Sequence, residues 1–374
     1  MAEIYVKGSD GVLERAKLIR CKDEEKELQD LLQRNPALLA GEQMNPDEPR
    51  RWLLVKREMS IPDPSTGSDR WNIDFLYIDQ DATLTFVECK RHGDTRSRRE
   101  VIAQVIDYIA NSSRLWNKDQ LIDAASAQAM ADKCTLATRV EQLGASDFST
   151  VESLMQAAID KLGNHDVRIV LFMEAAPPEL KTIVEFMNKE MSTVEVLLVE
   201  AKMYEVNGAT VVTPCLWGYT DAVRARKNAL AAVDGGRIKW NADSFLADLD
   251  KRVADTAQNR AVRELYGTLP AMGYQFRFGT GTATGSFNAR LSSHSDLAVL
   301  TVRSDGTLMA NFGSFAAPED TGLREALAGA VAAAGLPVPV DYAKRFVNYR
   351  AGSWTPNVGA LIKSLAALGH KQAA

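Results

Sequence analysis

Hydrophobic positions recur at two periods along this chain, and the switches between them mark out its elements. After a short N-terminal hairpin pattern, "EEKELQDLLQRNPALL" spaces Leu28, Leu31, Leu32 and Leu39 as a helix does, with Pro36 marking its end or a bend. The stretches Trp52 to Ile61 and Asn72 to Lys90 alternate apolar and polar residues and predict strands. In "SRREVIAQVIDYIANSSRLW" the period returns to 3.6, with Val101, Val105, Tyr108 and Ile109 on one face. "VRIVLFMEA" is a continuous apolar run, the signature of a strand buried on both faces. A helix with prolines in its first turn, "PPELKTIVEFMNKEM", and a strand, "VEVLLVEAKMYEVNG", follow. Strand, helix, strand in that order implies a crossover and a mixed α/β sheet flanked by helices.

The pattern loosens between residues 216 and 239, which reads as a linker with a basic helical piece, "VRARKNAL". It separates a first domain, 1–215, from a second, 240–374, which reads as α+β. The second opens with one long helix, "ADSFLADLDKRVADTAQNRAVRELYGTL", and continues with strands in "YQFRFGTGTATGSFNARL" and "LAVLTVRSDGTLMANFG", where "SDG" is a hairpin turn. "FGTGTATGSF" lacks the lysine and the helix start of a phosphate-binding loop and reads as a strand connection. Two or three helices close the chain.

A length of 374 residues accommodates two cores, and 46% hydrophobic with 25% charged residues excludes a disordered chain. No apolar window reaches membrane-spanning length, so no membrane partner is expected. The four cysteines form no CxxC pair, which argues against a zinc site or disulfide framework and for a reducing, cytoplasmic setting. The formal charge of −5 is uneven: from Leu216 onward 18 Lys/Arg face 13 Asp/Glu, against 26 and 36 before it. A basic second half can face a polyanion or be a solvated surface. The same two readings, contact with a nucleic-acid strand or a packed helix face, stand open for "YAKRFVNYRAGSW", with Arg345, Tyr349, Arg350 and Trp354.

The chemistry concentrates in "DFLYIDQDATLTFVECK", residues 74 to 90. With Gln80, Asp81 and Ala82 as a three-residue turn, facing positions sum to 162 and Asp74 falls opposite Glu88. Leu84, Phe86, Glu88 and Lys90 share one face, so the charges end an apolar face. Two carboxylates on a half-buried surface repel each other unless a cation or a proton sits between them. A divalent metal removes that cost and leaves coordination positions for water and phosphate oxygens, while a lysine on the same face can orient the water.

These residues resemble the core of the PD-(D/E)XK nucleases, with "NIDFLYID…TFVECK" supplying Asp74, Glu88 and Lys90. Ile73 stands where the motif's proline would be, which removes no ligand. Gln104 and Tyr108 match the Q-x-x-x-Y element of RecB-like members, and "E-x-x-L…NP-x-L-L" is similar to the helix that donates a further metal-binding glutamate in NucS-like endonucleases. On that pattern Glu25 is the match, with Glu24 and Glu27 as alternatives. The resemblance covers about residues 20 to 215 and implies a restriction-endonuclease-like fold. It implies a metal set of Glu25, Asp74, Glu88 and the Cys89 carbonyl holding Mg²⁺ or Mn²⁺. Asp74, Glu88, Lys90, Gln104 and Tyr108 would be the catalytic set of a DNA endonuclease in antiphage defence or repair. RNA as substrate and a homodimer stay open. Arg91, Arg96, Arg98 and Arg99, just beyond the hairpin, are candidate backbone contacts. His92, beside Lys90, is a further candidate phosphate contact or a surface residue, and His165, His294 and His370 are isolated. The alternative is a binding or sensor protein that keeps the fold without cutting, although such a role needs no complete acid, acid and lysine set.

Overall fold

The computed structural model describes residues 4–7, 11–46, 48–62, 69–91, 97–145, 147–148, 150–219, 240–279, 284–291, 297–315 and 317–370. They divide into two compact units: Met1–Lys133 with Val151–Lys227, and Cys134–Thr150 with Asn228–Ala374. The segment Cys134–Thr150 therefore groups with the second unit, although it lies well inside the first half of the sequence. Most of the expected linker lies outside the described residues, including "VRARKNAL".

In the first unit β1 (Tyr5–Lys7) and β2 (Leu13–Arg15) form a small antiparallel pair, followed by β3 (Lys17–Ile19). The expected N-terminal helix is three short pieces: a π-helical turn Glu24–Gln29, α1 (Asp30–Arg34) and a 3-10 turn Pro36–Leu39. Proline at residue 36 lacks the amide that would continue α1, so the chain bends there. After α2 (Gly41–Met44) come three antiparallel strands, β4 (Leu53–Pro62), β5 (Asp69–Ile78) and β6 (Leu84–Lys90). Helices α3 (Ser97–Leu115) and α4 (Lys118–Ala131) follow; α5 (Leu136–Leu143) belongs to the second unit. Then α6 (Val151–Gly163), β7 (Arg168–Met173), α7 (Pro178–Glu190), β8 (Glu195–Val206) and β9 (Ala209–Trp217) complete the first.

The result is a mixed α/β unit with a seven-stranded sheet in the order β3-β8-β7-β6-β5-β4, with β9 paired to β8. Strands β6, β7 and β8 run parallel and the other pairs are antiparallel, as the crossover pattern predicts. All six residues of β7 are buried, which explains the apolar run from Ile169 to Met173. One sheet face, with Phe75, Tyr77, Val87, Cys89, Val170, Phe172 and Leu197, packs on Leu28, Leu32 and Leu39 from the N-terminal turns. On the opposite face Phe86 stacks against Trp116, with centroids 5.7 Å apart. Val101, Val105, Tyr108 and Ile109 of α3 are all buried, as their spacing predicts.

The β5–β6 hairpin closes through Asp79–Thr83 with Ala82 left-handed at φ 61°, the third residue of a three-residue loop. Its pairs Phe75↔Val87, Leu76↔Phe86, Tyr77↔Thr85 and Ile78↔Leu84 are those the sequence register predicts. At this end of the sheet the buried Arg168 binds Asp79 at 2.9 Å and Glu195 at 2.7 Å. Where β9 ends, Gly218 takes φ +105° with its Cα so close to Val196 that a Cβ would stand 2.8 Å from the carbonyl oxygen, which only glycine accommodates.

The second unit is built on an antiparallel sheet in sequence order: β10 (Tyr274–Phe278), β11 (Ser286–Leu291), β12 (Ala298–Arg303), β13 (Leu308–Ala310) and β14 (Val347–Tyr349). The expected single long helix is instead two, α8 (Ala242–Arg252) and α9 (Thr256–Thr268). Asp255 breaks it, because its carboxylate accepts the Ala257 and Gln258 amides and starts a new helix. The "SDG" stretch is the expected turn, with Gly306 at φ 82°. "FGTGTATGSF" runs from the end of β10 to the start of β11, with residues 280–283 outside the described ones. Helices α10 (Thr321–Ala333), α11 (Ala351–Trp354) and α12 (Val358–His370) follow. Trp354 and Tyr349 belong to the hydrophobic core of this unit, and their polar atoms are spent on the Gly306 and Pro337 carbonyls. They are not surface rings on which a nucleic acid can stack, which corrects that reading of "YAKRFVNYRAGSW". Among the described residues no helix is long and apolar enough to cross a membrane.

Candidate active site

The ladder between β5 and β6 ends at Phe75↔Val87, while β6 continues beside β7 as far as Lys90↔Met173. The two strands therefore separate just before Asp74 and Glu88, which the same register sets opposite each other. Beyond that point the Cys89 amide donates to Asp74 Oδ2 at 2.7 Å. The Cys89 side chain points away, fully buried in the opposite core, as strand alternation requires. Lys90 Nζ lies 3.0 Å from Glu88 Oε1.

Both carboxylates are withdrawn from solvent, with Asp74 9% and Glu88 2% exposed. Burial, and after it the charges of Glu88 and Glu58, push the Asp74 carboxyl up to about 8, against the lowering effect of the Cys89 amide and Lys90. The free protein thus holds a proton in the cleft near neutrality, the second of the two ways of relieving a carboxylate pair.

Helix α3 closes one side. Gln104 Nε2 donates to the Tyr108 hydroxyl, which donates in turn to the Asn72 carbonyl at 3.1 Å, two residues before Asp74. Burial first, and then the Glu88 and Asp74 charges, push the Tyr108 hydroxyl up to about 12, so it stays a neutral donor. The sequence-predicted Asp74, Glu88, Lys90, Gln104 and Tyr108 thus cluster where β5 and β6 part.

The remaining candidates divide differently. Arg91 is exposed and donates to the Lys22 carbonyl at 2.8 Å, holding the N-terminal segment to the end of β6. Glu25 lies in the π-helical turn and Arg98 and Arg99 in α3, but their side chains, with all of Arg96 and His92, are outside the described residues. Glu27, the alternative to Glu25, is exposed and accepts the Lys22 amide at 3.2 Å. His165 is exposed at a left-handed turn after α6, while the side chains of His294 and His370 lie outside the described residues.

Sequence reasoning missed Glu58. The pairs Arg57↔Phe75 and Met59↔Ile73 set it beside Asp74 on the neighbouring strand, so Glu58, Asp74 and Glu88 follow one another across β4, β5 and β6. Glu58 is exposed and has φ 54°, a left-handed value that costs a non-glycine residue about 1 kcal/mol or more. The only sequence signal was an acidic residue inside "VKREMS", and the β4–β5 connection gives no register from which to place it.

Among the described residues no group of three or more His, Cys, Asp and Glu side chains forms a metal cage. Asp74 and Glu88 nonetheless suit a hard divalent cation, because they bring two buried carboxyl groups together beside one lysine; backbone oxygen, water and substrate would complete the shell. No family model matches the chain, and no curated protein or solved structure matches it.

Proposed function

We propose that the first unit is a nuclease of the PD-(D/E)XK type, a restriction-endonuclease-like fold whose Mg²⁺- or Mn²⁺-dependent site hydrolyses phosphodiester bonds in DNA. The observation that carries this reading is the separation of β5 and β6 at Asp74 and Glu88, with Lys90 bonded to the second carboxylate. A binding protein has no need to bury two opposed acids beside a lysine. Asp74, Glu88 and the Cys89 carbonyl would hold the cation, which would neutralise charge on the phosphate and lower the pKa of a bound water.

The chain's own groups have separate tasks. Asp74 would give up its proton on becoming a ligand, and the bond from the Cys89 amide fixes the position of its carboxylate. Lys90 orients the attacking water and offsets charge as a P–O bond forms to that water and an ester P–O bond breaks. Tyr108, held by Gln104 and anchored on Asn72, fixes the cleft wall or donates to the backbone of the substrate.

Calorimetric titration with Mn²⁺ tests the metal site without turnover. Since binding displaces the Asp74 proton, affinity should rise about tenfold per pH unit below pH 8 and level off above it. Asp74→Asn should abolish this binding. A folded wild-type protein that takes up no Mn²⁺ at millimolar concentration contradicts the reading.

A further inference from the structure

A groove of about 590 Å³ lies along β4, the strand that carries Glu58, and is walled on its other side by α4. That volume is in the range of small-molecule sites. Trp116 and Met59 line it with Ala124 and Ala127, while Gln120, Gln128, Ser60 and Lys56 bring polar groups. The alanines of α4 follow at helical spacing and leave a slot where longer side chains would fill the space.

We infer that this groove holds an unpaired nucleobase of the substrate strand, next to the phosphate that is cut. The inference rests on the nuclease reading above and names the substrate class: nucleic acid that is single-stranded or locally opened at the cleavage site. Position supports it. Ser60 and Lys56 each lie two residues from Glu58, about 7 Å along the strand, and β4 is two strands from β6, about 10 Å from Glu88. A base attached to a neighbouring nucleotide reaches that far.

The chemistry of the walls suits a flat ring with a polar edge. Alanine methyls and the Trp116 indole, whose other face stacks on Phe86, line the slot. Gln120 Oε1 accepts the Asn117 amide and Gln128 Nε2 donates to Asp132 at 3.4 Å, which leaves the Gln120 NH₂ group and the Gln128 oxygen to meet the rim of a ring. Lys56 and Asp123 put one charge of each sign on the lining, while Arg57 is committed to Asp30 at 2.6 Å. A neutral base fits this better than a phosphate. An added peptide strand fits worse, since the Ser60 carbonyl on the outer side of β4 already accepts the Trp116 indole N–H at 3.1 Å.

The test uses the full chain carrying Lys90→Ala, with Ca²⁺, and fluorescence anisotropy of a labelled eight-nucleotide single strand and of a blunt duplex. Ala127→Trp, at an exposed position of α4, plugs the groove without disturbing the core, and Ala124→Phe is a second plug. Either plug should weaken single-strand binding about tenfold and leave duplex binding unchanged. An abasic residue beside the scissile position should produce the same loss in the unplugged protein. Unchanged single-strand affinity in both folded plugged variants overturns the groove assignment and leaves the nuclease reading standing. Failure of the unplugged protein to bind any nucleic acid overturns both.

Discussion

Asp74 carries a local conflict. Its carboxyl sits between burial and two neighbouring acids, so the folded chain holds the proton up to about pH 8, whereas the unfolded chain releases it near pH 4. Between those values the native state binds more protons than the unfolded one. Stability must therefore fall as pH rises through this window, the reverse of the usual salt-bridged aspartate. Asp74→Asn removes the conflict. In EDTA it should leave stability nearly unchanged at pH 4 and raise it by up to about 5 kcal/mol at pH 8, measured by urea unfolding. A gain of equal size at both pH values would place the stabilisation in something other than the charge. Divalent metal should restore the wild type at pH 8 and do little for the variant.

The sheet has two ends with opposite character. At the turn end of the β5–β6 hairpin, buried charges are matched: Arg168 binds Asp79, Glu195 and Thr85, and Arg50 binds Asp81. Removing Arg168 takes the guanidinium from the buried Glu195 and leaves Asp79 only the longer contact to Arg50 at 4.0 Å. Arg168→Ala should lose about 3–5 kcal/mol in denaturant unfolding, and a loss below about 1 kcal/mol would mean water has replaced the guanidinium without cost. At the other end Glu58, Asp74 and Glu88 follow one another on adjacent strands, with Lys90 on Glu88, and this is the end to which the proposed metal site is assigned. The hairpin was legible in the sequence because turn length and alternation fix a register on their own. The two-helix break at Asp255 was not, since the aspartate sits at a spacing that a continuous helix also tolerates, and only the cap geometry separates the two. Glu58 was hidden for a related reason: its place depends on pairing across a connection whose length sets no register.

At the scale of the whole molecule the sequence marks two units, but contacts redraw the membership of one segment. Asp147 binds Arg303 at 2.6 Å and Thr284 at 2.9 Å, so residues 134–150 complete the second unit although they precede β7 of the first. Such long-range docking leaves no periodic trace. The basic excess of the second half, read as a surface for a polyanion, includes Arg303 and Arg345, which are engaged by Asp147 and Glu141. These two arginines therefore serve contacts within the second unit and drop out of the polyanion reading. The central claim is that this cleft cuts phosphodiester bonds with a metal, and the most direct measurement is cleavage itself. Wild type and Lys90→Ala would be incubated with single-stranded, duplex, branched and mismatched DNA, and with RNA, in Mg²⁺, Mn²⁺ and EDTA. The account predicts cutting of DNA in Mg²⁺ or Mn²⁺, none in EDTA, and a loss of at least about 100-fold in the folded Lys90→Ala protein. Binding of these substrates by folded wild type with no cleavage under any metal condition would contradict it and leave a recognition protein in its place.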